Sequence, residues 1–127
     1  MDRIERWIRQ KLDAAVAAGI GAWSDSAATD LGRPIYRFAD GTTTLTLAER
    51  GFRCTAPGAA LEHRYDAIKA LELAPLRTIM TLRGDPGAPV TIGLILRDSP
   101  DRAEMQWPLG LYANVVTVLD RIVRDLA

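Results

Sequence analysis

Apolar residues recur at three- and four-residue spacing near both ends of the chain and at two-residue spacing in between. Near the start, Ile4, Trp7, Ile8, Leu12, Ala15 and Val16 fall on one stripe, which predicts an amphipathic helix over residues 2–18. Asp2 with Glu5 three residues later resembles a capping box in which Asp replaces Ser or Thr. Gly19 and Gly21 can take the left-handed conformation that ends a helix. Residues 19–34 then become small and polar, with Ser24, Asp25, Ser26, Thr29, Asp30 and Gly32, and read as a linker. At the far end Tyr112, Val115, Val116, Leu119, Ile122, Val123 and Leu126 form the clearest stripe in the chain. They predict a second helix over 108–126, with Asp120, Arg121, Arg124 and Asp125 on its opposite face. Pro108 stands at its first turn, where a missing N–H is harmless.

Residues 35–96 read as short strands divided by turn residues. The strand 35–39 ends at Asp40-Gly41, a tight-turn dipeptide. In 42–48, Leu45 and Leu47 alternate with Thr42, Thr44 and Thr46, the period of a half-buried strand. Glu49-Arg50-Gly51 turns the chain into 52–55, and Ala56-Pro57-Gly58 turns it again. Strands 61–65 and 68–73 follow, kinked at Asp66-Ala67. A sixth is read over 76–83, before the turn Gly84-Asp85-Pro86-Gly87. The most apolar, 90–96, is expected at the centre of a sheet, and 97–101 is an exposed loop. Turns this frequent predict an antiparallel meander rather than βαβ units. The expectation is one α+β domain of about seven strands with a C-terminal amphipathic helix and an added N-terminal helix. Eighteen residues cannot form a domain, so the N-terminal helix must pack on the sheet or on another chain.

The 127 residues include 16 basic and 16 acidic side chains, and a neutral chain lacks the positive field of a non-specific nucleic-acid binder. Cys54 is the only cysteine, so no internal disulfide can form and a reducing compartment is expected. The first residues mix charge signs and carry no continuous apolar stretch of the secretory kind. No segment reaches the roughly 20 apolar residues of a membrane span. These features predict a soluble cytoplasmic protein for which a membrane role is not expected.

Several short phrases resemble the small bacterial pleckstrin-homology-like (PH-like) proteins. They are Leu45-Thr46-Leu47-Ala48-Glu49-Arg50-Gly51-Phe52-Arg53, then Tyr65-Asp66-Ala67-Ile68 before an apolar strand, then the Trp107-bearing turn into the last helix. The resemblance covers about residues 34–127. It implies a partly open antiparallel barrel with the C-terminal helix plugging one end, and either lipid or protein partners. Phosphoinositide-binding members place basic residues around the first hairpin loop. Here that loop is Ala39-Asp40-Gly41-Thr42, which has an acid and neither Lys nor Arg.

Candidate chemistry is sparse. His63 shares a face with Leu61 and Tyr65 and reads as a partly buried, hydrogen-bonded histidine rather than a general base or metal ligand. Cys54 lies in phase with Phe52 and reads as a buried small hydrophobe, with a His63-activated nucleophile as the alternative. Asp98-Ser99-Pro100-Asp101 and Ser24-Asp25-Ser26 lack the spacing of a calcium loop. Arg50, Arg53, Arg64, Arg77 and Arg83 fall on outward faces or turns. Of these, Arg50, Arg53 and Arg64 are candidate anion donors, and Trp23, an aromatic in a polar linker, is a candidate partner anchor. No nucleophile–base pair, metal cluster or phosphate loop emerges, so neither cofactor nor catalysis is expected. The expected function is a protein-interaction or self-association module, with homodimerisation through the N-terminal helix as one form. The alternative is a small-molecule or lipid-headgroup binding domain that uses the basic patch.

Overall fold

A computed structural model describes residues 3–56 and 59–126. Among the described residues the fold is α+β: two antiparallel sheets, of five and three strands, and three α-helices, with no closed barrel. The first helix, α1 (Arg3–Ala17), ends as its glycines require. Gly19 has φ +85°, Ile20 N–H donates to Ala15 O at 2.8 Å and Gly19 N–H to Val16 O at 3.0 Å, a Schellman closure. Asp2 and the turn residues Pro57 and Gly58 lie outside the described residues, and with them the proposed capping box.

Residues 19–34 are more than a linker. They contain β1 (Ala22–Trp23), which pairs with β2 (Pro34–Ala39). The meander continues through β3 (Thr44–Ala48), β4 (Gly51–Ala56) and β5 (Ala59–Arg64), each paired with its predecessor. A 3-10 turn, Tyr65–Ala67, is the expected kink. It leads into the second meander: β6 (Ile68–Glu72), β7 (Pro89–Leu96) and β8 (Arg102–Pro108), with apolar β7 at the centre as expected. The last helix, α3 (Leu109–Asp125), follows directly with Pro108 as its N-cap residue.

Two elements differ from the sequence reading. The strand expected over 76–83 is a helix, α2 (Leu76–Thr81), which starts after Pro75 and buries none of its residues. Leu76, Ile79 and Met80 stand at helical spacing. The strands on either side, β6 and β7, pair with each other, so the excursion between them has no ladder to join. Conversely β8 was hidden among residues of mixed preference. Its Ala103, Met105 and Trp107 alternate inward against exposed Arg102, Glu104 and Gln106.

The core joins the inner faces of both sheets to α1 and α3, with Trp107, Tyr36, Tyr65 and Phe52 its largest fully buried side chains. Leu45, Leu47, Phe52 and Cys54 point inward from β3 and β4, and Val115, Leu119 and Val123 of α3 belong to the same buried cluster. Tyr65 ties its hydroxyl to Ala48 O at 2.8 Å. Helix α3 buries Leu111 and Val118 besides its predicted stripe, because α1 packs on it as well as the sheet. The N-terminal helix therefore spends its apolar stripe within its own chain, against α3 and β2.

Glu5, read from the sequence as half of a capping box, is only 1% exposed. Arg9 Nε donates to it at 2.9 Å, and Arg33, from the segment before β2, donates to its other oxygen. Burial pushes the carboxyl pKa up, but the hydrogen bonds and charges of Arg9 and Arg33 outweigh burial and hold it below the usual range. The same Arg9 guanidinium lies 5.2 Å from the centre of the Trp23 ring, which meets Tyr36 edge-on at 6.3 Å. The Tyr36 hydroxyl donates to Ile20 O at 2.8 Å. These contacts clamp α1 to β1 and fix where the chain enters residues 24–31.

Candidate functional site

The register of the five-stranded sheet places its side chains in cross-strand rows. One inner row is Trp23, Tyr36, Leu47, Phe52 and His63; the matching outer row is Ala22, Arg37, Thr46, Arg53 and Glu62. Residues 24–31 pass over this outer face as a strap. Between strap and sheet lies a groove of about 580 Å³, within the roughly 300–1,000 Å³ of small-molecule sites. Arg37, Thr46, Arg53 and Glu62 line it from the sheet, and Ser24, Ser26, Ala27, Thr29 and Asp30 from the strap. Leu31, Pro34 and Ala48 close one end with apolar surface.

The strap is held at its ends and loosely in between. Ser24 N–H donates to Ile35 O at 2.8 Å, and Thr29 and Gly32 exchange two backbone bonds of 2.9 Å. Arg50 N–H donates to Leu31 O at 2.8 Å, and Arg33 N–H to the Glu49 carboxylate at 2.6 Å. Within 25–28 the one bond described is Ser26 N–H to Ser24 Oγ at 3.3 Å.

Arg37 and Arg53 stand on either side of Thr46, two strands apart, which is about 9–10 Å at the backbone. Among the described residues neither guanidinium has a hydrogen bond or ion pair, although Glu62 is the direct cross-strand neighbour of Arg53 and Asp30 lies on the strap. Two exposed cations with no protein partner among the described residues thus share one concave surface. The hydroxyls of Ser24, Ser26 and Thr46 lie within the same lining.

Of the residues singled out in the sequence, Arg53 belongs to this groove. Arg64 shares its sheet face, but both its Nε and a terminal nitrogen donate to Asp66 at 3.1 Å. Arg50 occupies the β3–β4 turn outside the groove lining. Trp23 is the inner pin described above, packed on Tyr36 under Arg9. Cys54 is buried, and burial pushes its thiol pKa up, with the Trp107 indole opposing. Its cross-strand neighbour is Leu61; His63 lies opposite Phe52, tilted against that ring at 6.2 Å, and burial pushes the imidazole pKa down. Arg77 lies in α2 and Arg83 just after it, far along the chain from the groove. Among the described residues no cluster of His, Cys, Asp or Glu could hold a metal ion. The first hairpin loop is self-satisfied: Asp40 accepts from Thr43 N–H at 2.7 Å and Thr42 N–H at 2.9 Å, which holds its carboxyl below the usual range.

Arg37 escaped the sequence reading. Its signal was there: with Tyr36 and Phe38 inward, residue 37 must face out, in phase with Thr46 and Arg53 once the hairpin register is set. A second surface was also missed. Leu76 is 73% exposed and Met80 58%, with Leu73 beside them, an apolar patch on the α2 excursion. No helix among the described residues is long and apolar enough to cross a membrane. No family model, curated protein or solved structure matches the chain.

Proposed function

We propose that this chain is a non-catalytic binding module that holds a small anionic ligand in the groove between the strap and the outer face of the five-stranded sheet. One observation carries the reading: Arg37 and Arg53, both without a partner among the described residues, face one concave surface of ligand size. Charge-assisted bonds from two guanidiniums are the strong kind, and paired arginines match the geometry of oxyanions. The order of two antiparallel meanders followed by a helix supports a place among PH-like domains, with α1 as an addition. The site then lies on a sheet face, away from the acidic first hairpin loop.

Isothermal titration with inorganic phosphate tests the reading. Saturable binding is expected. Arg37→Gln and Arg53→Gln should each weaken it about tenfold, since a hydrogen bond to a charged group contributes roughly 1.5–3 kcal/mol. Arg83→Gln should leave it unchanged. Absence of binding, or indifference to both groove arginines, contradicts the proposal.

A second reading, a protein-interaction module, is favoured by the exposed Leu73, Leu76 and Met80. Apolar patches of this kind often mark contact surfaces. Arg77 and Arg83 beside it suit a partner with an apolar centre and an acidic rim.

A further inference from the structure

The groove has two chemically different ends. Arg37, Thr46 and Arg53 form one cross-strand row. Two residues along β3 from Thr46 and three along β2 from Arg37, past a bulge, Ala48 pairs with Pro34, and these two with Leu31 and Ala27 make an apolar end. Leu31, Pro34 and Ala48 are packed in place and leave only a small, fixed apolar surface at this end, which exposed Ala27 of the strap extends. An inorganic ion would fill only the cationic row. A ligand that reaches from this row to the apolar end would carry an anionic head and a compact apolar body.

Resting on the anion-binding reading above, we infer that the groove takes an organic phosphate monoester, its phosphate between Arg37 and Arg53 and its apolar body against Ala27, Leu31, Pro34 and Ala48. Two guanidiniums lining one groove on either side of Thr46 favour a dianion over a carboxylate, and a phosphate monoester is mostly dianionic above its second pKa of about 6. Its oxygens accept in several directions at once. They can take bonds from both arginines and from the Thr46 and Ser24 hydroxyls; the Ser24 oxygen already accepts from Ser26 N–H, which leaves its own hydrogen to donate. Glu62, at the edge of the row, opposes the ligand's charge. It is the residue whose neutralisation should help.

Phenyl phosphate is the probe, titrated beside inorganic phosphate and neutral benzyl alcohol. Phenyl phosphate should bind about tenfold more tightly than inorganic phosphate, as expected for partial burial of one ring. Benzyl alcohol should show no saturable binding. Affinity should fall several-fold from about pH 7.5 to about pH 5.5, as the phosphate loses its second charge. Arg53→Gln should weaken both phosphates together. Glu62→Gln should tighten both. Ala27→Asn, on the exposed strap, should narrow the phenyl preference and leave inorganic phosphate unchanged. Equal affinity for the two phosphates would overturn the organic monoester and leave the anion site standing. Failure of both to bind would overturn the anion site itself. The same chemistry occurs on soluble metabolites and on phosphatidic acid. Flotation with phosphatidylcholine vesicles containing phosphatidic acid, lost in Arg53→Gln, would support the monoester with a lipid as its source. Phenyl phosphate binding without flotation would support it with a soluble source.

Discussion

Glu5 is the residue on which the N-terminal third of the molecule turns. Its buried carboxylate joins Arg9 of its own helix to Arg33 of the segment entering β2, and Arg9 in turn covers Trp23. Removing the charge strands two guanidiniums beside a buried amide. Glu5→Gln should cost about 2 kcal/mol at neutral pH, the scale of hydrogen bonds to a charged group, read by urea denaturation. The pH dependence has a definite sign. The folded pKa lies below the ordinary 4.5, so the contribution is full above that value and is lost as pH falls through the folded pKa. The gap between wild type and Glu5→Gln should therefore close in acid. A gap that persists unchanged at about pH 3 would show that the carboxylate charge contributes nothing. The sequence offered Glu5 only a capping role because its partner Arg33 is distant along the chain. Arg53 could be picked out because its strand alternates cleanly; Arg37 became meaningful only with the register that sets it across Thr46.

The elements divide by how much of their pattern depends on neighbours. Helix α3 and strands β3 and β4 were legible because one face of each is apolar at a single period. Strand β8 alternates just as regularly, but Ala103, Glu104, Met105 and Gln106 have helical preference, and the tertiary pairing with β7 overrides it. Helix α2 was misread for the opposite reason: a run of large apolar residues after a proline suggests a buried strand, yet Leu76 and Met80 face outward while Ile79 packs against the core. This yields a contrast in stability. The double substitution Leu76→Ser with Met80→Ser should change unfolding free energy by no more than about 0.5 kcal/mol, as for surface positions. Leu119→Ala in α3 should cost about 3 kcal/mol by leaving a cavity in the core. Thermal or urea melts of the two variants settle it; a large loss in the α2 variant would mean that its apolar patch is structural.

At the scale of the whole molecule, the two sheets, α1 and α3 share one core, and the strap is laid over the outer face of the five-stranded sheet. The sequence showed that segment as a polar linker, since neither the β1–β2 pairing nor the Arg9–Trp23 contact has a local signal. Folding turns it into a roof. Its fixed ends set the groove, and its lightly bonded centre at 25–28 can adjust to what lies beneath. The neutral overall charge concealed the site as well, because sixteen basic and sixteen acidic residues cancel in sum but not in place. The most direct measurement is a set of amide ¹H–¹⁵N spectra recorded while inorganic phosphate is added. Saturable shifts confined to Arg37, Thr46, Arg53 and residues 24–31 are expected, and they should vanish in the Arg37→Gln, Arg53→Gln double variant. Shifts that do not saturate, or that centre elsewhere on the molecule, would contradict the groove as a binding site.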